Sequence, residues 1–190
     1  MARQNDGLIN RLERDLPEGL VVDAAWLRKK GYSRQLLSHY VASDWLEQPA
    51  RGVYRRLRGD LRWESVVISL QTLLARPLVV GGRTALELQG YAHYLSQEIK
   101  EVHLYGPKPP PGWLQKLPLG GRFMYHNSRK LFHNDPITRG LTNLSWNLKR
   151  EEGRSNDPIH GSWVTQPWGQ WDWPLTLATP ERAFLELLDE

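Results

Sequence analysis

Apolar residues recur at helical spacing near the start of the chain. Leu8, Ile9, Leu12 and Leu16 form one stripe, and Pro17–Gly19 follows, so a first helix is predicted within residues 3–15. A second is predicted to start at Asp23, a good N-cap, and to carry Ala24, Ala25, Trp26 and Leu27 as far as Gly31. The third lies in GYSRQLLSHYVASDWL, with Ser33 as its N-cap. At 100° per residue Leu36, Leu37, Tyr40 and Val41 share one face, and Arg34, Gln35, Ser38, His39 and Ala42 share the opposite arc. Two short β-prone runs come next, Trp45–Gln48 and Val53–Arg56, around Pro49-Ala50-Arg51-Gly52, and they read as a hairpin. The second run alternates imperfectly, because Arg55 shares parity with Val53 and Leu57.

Further on, Trp63, Val66, Val67, Leu70, Leu73 and Leu74 predict a helix closed by Arg76-Pro77. A buried strand at Leu78–Val80, a Gly81-Gly82 turn and a helix from Arg83 to Gln89 come after it, with Gly90 as the stop. Residues 98–105, 122–125, 142–148 and 162–165 read as strands, and Thr179-Pro180-Glu181 is a helix start. The stripe begun by Phe184, Leu187 and Leu188 then stops, with Asp189 and Glu190 at the helix end that disfavours acids; a further C-terminal segment is the expectation. The fold class is α+β. Residues 1–60 have the order of a winged helix-turn-helix domain, and residues 61–190 form a mixed α/β C-terminal domain.

Charge sharpens this picture. The net charge of the 190 residues is only +4. Yet residues 26–62 hold nine bases against three acids, whereas residues 151–190 hold two bases against eight acids. A basic block on a nearly balanced chain implies a local anion-binding surface. The third helix opens on Arg34, where its partial positive charge favours an acid. In a recognition helix entering the major groove a DNA phosphate would fill that place, and Arg34 would reach a phosphate or a guanine. Its polar arc carries short hydrogen-bonding side chains rather than Glu–Lys pairs. Gln35, Ser38 and His39 would face base edges or sugar-phosphate, and Arg51, Arg55 and Arg56 would grip the backbone from the wing, while Arg28, Lys29 and Lys30 are either DNA contacts or cations suited to the last turn of the second helix.

Other chemistry is sparse. The absence of cysteine excludes disulfides and Cys-based zinc sites. No apolar run approaches the roughly 20 residues of a membrane span, and the charged N-terminus lacks the core of a signal peptide, so a cytoplasmic protein that does not enter a membrane is expected. The histidines form no H-E-x-x-H pair; His126 and His133 are expected to be surface residues beside a loop, and no metal or cofactor is expected. Trp168, Trp171 and Trp173 are expected to serve packing rather than binding. The stretch VVGGRTALELQGYAHYLSQEIKEVHLYG resembles the opening of nucleotidyltransferase-like folds, in which a Gly-Gly turn precedes a strand bearing two metal-binding carboxylates. Here the strand offers Glu101 and His103, a poor pair for a hard cation, so the kinship is read as degenerate and non-catalytic. An active nucleotidyltransferase relative with a nucleic-acid-docking winged helix is the alternative.

LPEGLVVDAAWLRKKGYSRQLLSHYVASDWL, RGVYRR, SLQTLL, VVGGRTALELQGYAHYL and TPERAFLELLDE together resemble the AbiEi family, antitoxins of type IV toxin–antitoxin and abortive-infection systems. The resemblance implies a winged helix that represses its own operon by binding promoter inverted repeats, and it carries DNA contact over to Lys29, Lys30, Ser33, Arg34, Gln35, Ser38, His39, Arg51, Tyr54, Arg55 and Arg56. Cooperative assembly of two copies on the repeats is a separate expectation. It also implies a C-terminal domain that counteracts a cognate nucleotidyltransferase-like toxin without forming a stable complex with it.

Overall fold

The computed structural model describes residues 2–91, 99–132 and 162–190. The chain opens with α1 (Ala2–Asp15), then β1 (Val21–Asp23), α2 (Ala24–Lys29) and α3 (Arg34–Ala42). The hairpin strands are β2 (Leu46–Ala50) and β3 (Val53–Arg56). Both caps form as the sequence indicates: Asp23 accepts from the Trp26 N–H, and Ser33 accepts from the Leu36 N–H at 3.2 Å. Each such cap stabilises its helix by about 1 kcal/mol. Leu37 and Tyr40 are buried while the polar arc of α3 faces outward.

Two details of the wing differ from expectation. Val21–Asp23 adds a third strand, giving an antiparallel sheet in the order β1-β3-β2. The first hairpin strand also runs through Pro49 to Ala50, so the turn is only Arg51-Gly52, with Gly52 at φ 77°. Proline is tolerated there because β2 is an edge strand with a register shift between Glu47 and Ala50. The Gly52 carbonyl accepts from the Ala24 N–H at 2.9 Å, tying the wing tip to the start of α2.

The chain continues with α4 (Trp63–Gln71), β4 (Val79–Val80), α5 (Gly82–Leu88), β5 (Glu101–Gly106), β6 (Arg122–Asn127) and α6 (Ser128–Leu131). It ends with β7 (Trp163–Trp168), β8 (Trp173–Ala178) and α7 (Pro180–Leu187). The strands form a mixed five-stranded sheet in the order β6-β5-β4-β8-β7. The strand β8 is absent from the sequence expectation because Pro174 and the tryptophan-rich turn obscure it, yet all its residues are buried. Trp168 and Trp173 pair across β7 and β8, which fits packing, while Trp171 stands exposed in the turn between them. The strand expected at 142–148 and His133 lie outside the described residues.

Helix α4 belongs to both sheets. The Val21 N–H of β1 donates to Ser69 Oγ at 2.9 Å. Two residues on, the Gln71 amide donates to the Leu78 and Thr176 carbonyls and accepts from the Thr176 N–H. One apolar core runs from Leu12 and Val22 through Val67 and Leu70 to Leu104 and Leu177.

Candidate nucleic-acid interface

Three elements meet at an open cleft of about 500 Å³. Its walls include Ala24 and Arg28 from α2, Arg34 and Ser38 from α3, and Gln48, Arg51 and Tyr54 from the wing. Residues 24 and 28 are one helical turn apart, as are 34 and 38, so each helix sends one face into it. Neither helix has an acid in its first turn. The partial positive charge of the α3 N-terminus is therefore uncompensated by the protein at the cleft wall.

The nine bases of residues 26–62 divide into two sets. Five have acidic partners: Lys30 with Asp15, Arg55 with Glu47, Arg56 with Glu13 and Glu18, Arg58 with Glu18, and Arg62 with Asp60. Arg28, Lys29, Arg34 and Arg51 have none within 4 Å among the described residues, and all four are exposed. Three of these four line the cleft. Folding thus pairs five of the nine bases with acids and leaves three of the other four on one concavity.

The expected contact residues are placed unequally by this sorting. Arg55 was expected to grip a DNA backbone, but it is 8% exposed, bonded through Nε and Nη2 to Glu47 and through Nη1 to the Gly59 carbonyl. Arg56 is bound to the acids of α1 and its following loop. Lys30 faces Asp15 and lies 5.2 Å from the Trp26 ring centroid. Ser33 is spent on its cap. Ser38 donates its hydroxyl proton to the Arg34 carbonyl, leaving its oxygen to accept. Gln35, His39 and Lys29 are exposed beside the cleft without lining it. Gln48 was missed as a candidate, and Arg28 was weighed only with Lys29 and Lys30 in the last turn of α2; the Ala24/Arg28 spacing is the signal that could have singled it out.

The Gly-Gly block carries a second cluster. The Gly82 N–H donates to Glu186 Oε2 at 3.0 Å, and the Arg83 N–H donates to Glu190 Oε1 at 3.1 Å. A Cβ on Gly81 would overlap Glu186, and one on Gly82, where φ is 52°, would overlap Glu190. The glycines therefore admit two carboxylates from α7 and its end, beyond making the expected turn. Burial pushes the Glu186 carboxyl up, against Arg182, whose guanidinium bonds it at 2.8 Å between the rings of Phe132 and Trp163. His126 is in β6 rather than beside a loop, half-buried and stacked on Tyr105, with its Nε2 3.0 Å from His103 Nδ1. Glu101 does not join His103; it pairs with Arg122 at the far end of β5, beside a separate cleft of about 530 Å³. That pairing holds the Glu101 carboxyl below its usual range.

A recognition helix beside a three-stranded wing, with unpaired arginines between them, defines a winged helix-turn-helix, the architecture of sequence-reading DNA-binding regulators. The family described as "Transcriptional regulator, AbiEi antitoxin N-terminal domain" matches residues 5–97, so this N-terminal part of the chain carries that regulator domain. The match continues past the wing through α4 and α5. No curated protein matches the chain. None of the described helices is long and apolar enough to cross a membrane.

Proposed function

We propose that this protein is a cytoplasmic, autorepressing type IV antitoxin. In this reading residues 1–60 bind inverted repeats in the promoter of its own operon, and residues 61–190 counteract the cognate nucleotidyltransferase-like toxin without a lasting complex. One observation supports the DNA-binding half above others: Arg28, Arg34 and Arg51, from three separate elements, converge without acidic partners on a cleft at the acid-free start of α3. Arg34 and Ser38 would address base edges or the nearest phosphate, with Gln35 and His39 beside them. Arg28, Lys29, Arg51 and Tyr54 would hold the backbone. Two copies would assemble cooperatively, one on each repeat. The protein acts without catalysis in this reading; Glu101, the one acid of the β5 face, is tied to Arg122 rather than held beside a second carboxylate.

The test is a gel-shift titration against DNA immediately upstream of the gene, at two salt concentrations, with unrelated DNA as control. Tight, sequence-selective binding that weakens steeply with salt is the expected outcome, because each neutralised phosphate releases counterion. Equal, weak binding to both DNAs would sink the repressor reading.

A further inference from the structure

Strands β5 and β6 are parallel, with His103 opposite Met124 and Tyr105 opposite His126. Both histidines therefore project from the same face of the sheet, two rungs apart. The end of the chain beyond α7 brings Glu190 over that face. His103 Nδ1 lies 3.0 Å from His126 Nε2 and 2.9 Å from Glu190 Oε1, and the three atoms fall within 4.8 Å of one another. The side chains of His103 and Glu190 are each 8% exposed, while His126 is half-buried and leaves one side of the cluster open.

Hydrogen bonding alone does not satisfy this arrangement. A neutral imidazole has one N–H, and the single proton available to His103 Nδ1 cannot lie along both lines. If it points at Glu190, His126 Nε2 meets an atom with no lone pair in the ring plane to offer and no second proton to give. If His126 donates instead, the Nδ1 lone pair faces a carboxylate oxygen. One of the two contacts is repulsive in either tautomer, whereas a cation among the three atoms makes every contact attractive.

We propose that His103 Nδ1, His126 Nε2 and the Glu190 carboxylate form a binding site for one transition-metal ion of the Zn²⁺ class. Two imidazole nitrogens and one carboxylate suit a borderline-soft ion, and Mg²⁺ prefers oxygen ligands throughout. Ligand atoms at zinc distances are spaced by about 3.3 Å in a tetrahedron, so the two short edges here open by only a few tenths of an ångström. Three protein ligands leave the fourth position, on the open side, for water. Neighbouring residues fix the positions of the ligands. The Tyr105 hydroxyl is 3.3 Å from Glu190 Oε1 and its ring stacks on His126 at 4.6 Å, while the Thr84 hydroxyl accepts from the His103 backbone N–H. Burial works to raise the Glu190 carboxyl, but His103 and the Arg83 N–H hold it below its usual range; burial and His103 keep the His126 imidazole below its own. A bound ion would clamp the end of α7 to β5 and β6.

The site is independent of the DNA-binding reading. Chelator-stripped full chain, titrated with Zn²⁺ by calorimetry, is expected to bind one equivalent and to gain thermal stability. Co²⁺ in its place should give the visible absorption of a four-coordinate ion. His126→Gln and Glu190→Gln should each weaken zinc binding by roughly 100-fold or more, beyond the effect usual for an outer-shell change. Glu181→Gln, on the exposed side of α7, should leave it intact. Wild-type protein alone gives a second readout: zinc should shift the ring-nitrogen NMR signals of His103 Nδ1 and His126 Nε2. Absence of binding at micromolar zinc, binding unchanged in both ligand variants, preference for Mg²⁺, or shifts confined to other imidazoles would each overturn the proposal.

Discussion

Glu47 and Arg55 face each other across the wing, with Arg55 Nη2 2.6 Å and Nε 2.7 Å from the same carboxylate oxygen. The pair closes the hairpin over its own loop, since Arg55 also holds the Gly59 carbonyl at 2.6 Å. Arg51, four residues earlier, has no such partner and stands at the wing tip. Arg55→Ala is expected to lower unfolding stability by about 1–3 kcal/mol, the scale of lost charge-assisted hydrogen bonds. Arg51→Ala should change stability by less than about 0.5 kcal/mol while weakening DNA binding and reducing its salt dependence. Urea denaturation beside DNA titration separates the two; equal effects on both properties would contradict this division.

Arg34 sets stability against binding. An acid in its place would complement the α3 N-terminus, so Arg34→Glu should stabilise the free protein by about 0.3–1 kcal/mol. The same change should abolish binding to the promoter. Arg34→Ala should lose about 1–3 kcal/mol of binding if the guanidinium reads a base through two hydrogen bonds. Melting curves and gel shifts on both variants check this. Destabilisation by glutamate would mean that another group already neutralises the helix end.

Gly82 carries two constraints that a double-mutant cycle can separate. Alanine there must adopt left-handed backbone, at a penalty of about 1–3 kcal/mol, and must also displace Glu190. Gly82→Ala combined with Glu190→Ala should therefore destabilise by less than the sum of the single changes, by at least about 0.5 kcal/mol. Strict additivity in chemical denaturation would show that Glu190 does not occupy the turn.

Alkaline pH tests the seat of α1. The Tyr32 hydroxyl donates to the Leu8 carbonyl at 3.2 Å, and burial, with the charge of Asp15, pushes the phenol up to about 12. A folded value above the unfolded one means that stability is fully present below pH 10 and is lost as pH rises from there towards 12. Tyr32→Phe should lower neutral stability by about 0.5–1.5 kcal/mol and flatten that part of the alkaline decline. Tyr40, Tyr105 and Tyr125 are raised also, so the comparison is between the slopes of the two proteins.

The features legible in the sequence were those decided within a few residues. The caps at Asp23, Ser33 and Thr179, the two faces of α3 and the Gly-Gly turn all depend on near neighbours. Even the imperfect parity of Arg55 was a true signal: it is buried with Val53, while Tyr54 and Arg56 are half-buried. What it finds there is Glu47, and pairing across a sheet is not written in either residue alone. The same limit hid Arg56 bound to α1, and the histidine cluster. His103 and His126 are 23 positions apart and meet only because β5 and β6 run in parallel. Glu190 looked misplaced at the end of its own helix, but its carboxylate serves the start of α5.

The hydrogen bonds of α4 have a mechanical consequence. Ser69 grips the backbone of β1, and Gln71 bridges Leu78, just before β4, and Thr176 of β8, so both sheets are tied to α4 at points less than a helical turn apart. Strand β1 leads directly into α2, which forms one bank of the arginine cleft. A displacement of the C-terminal sheet would therefore reach that bank through the hydrogen bonds of a single helix.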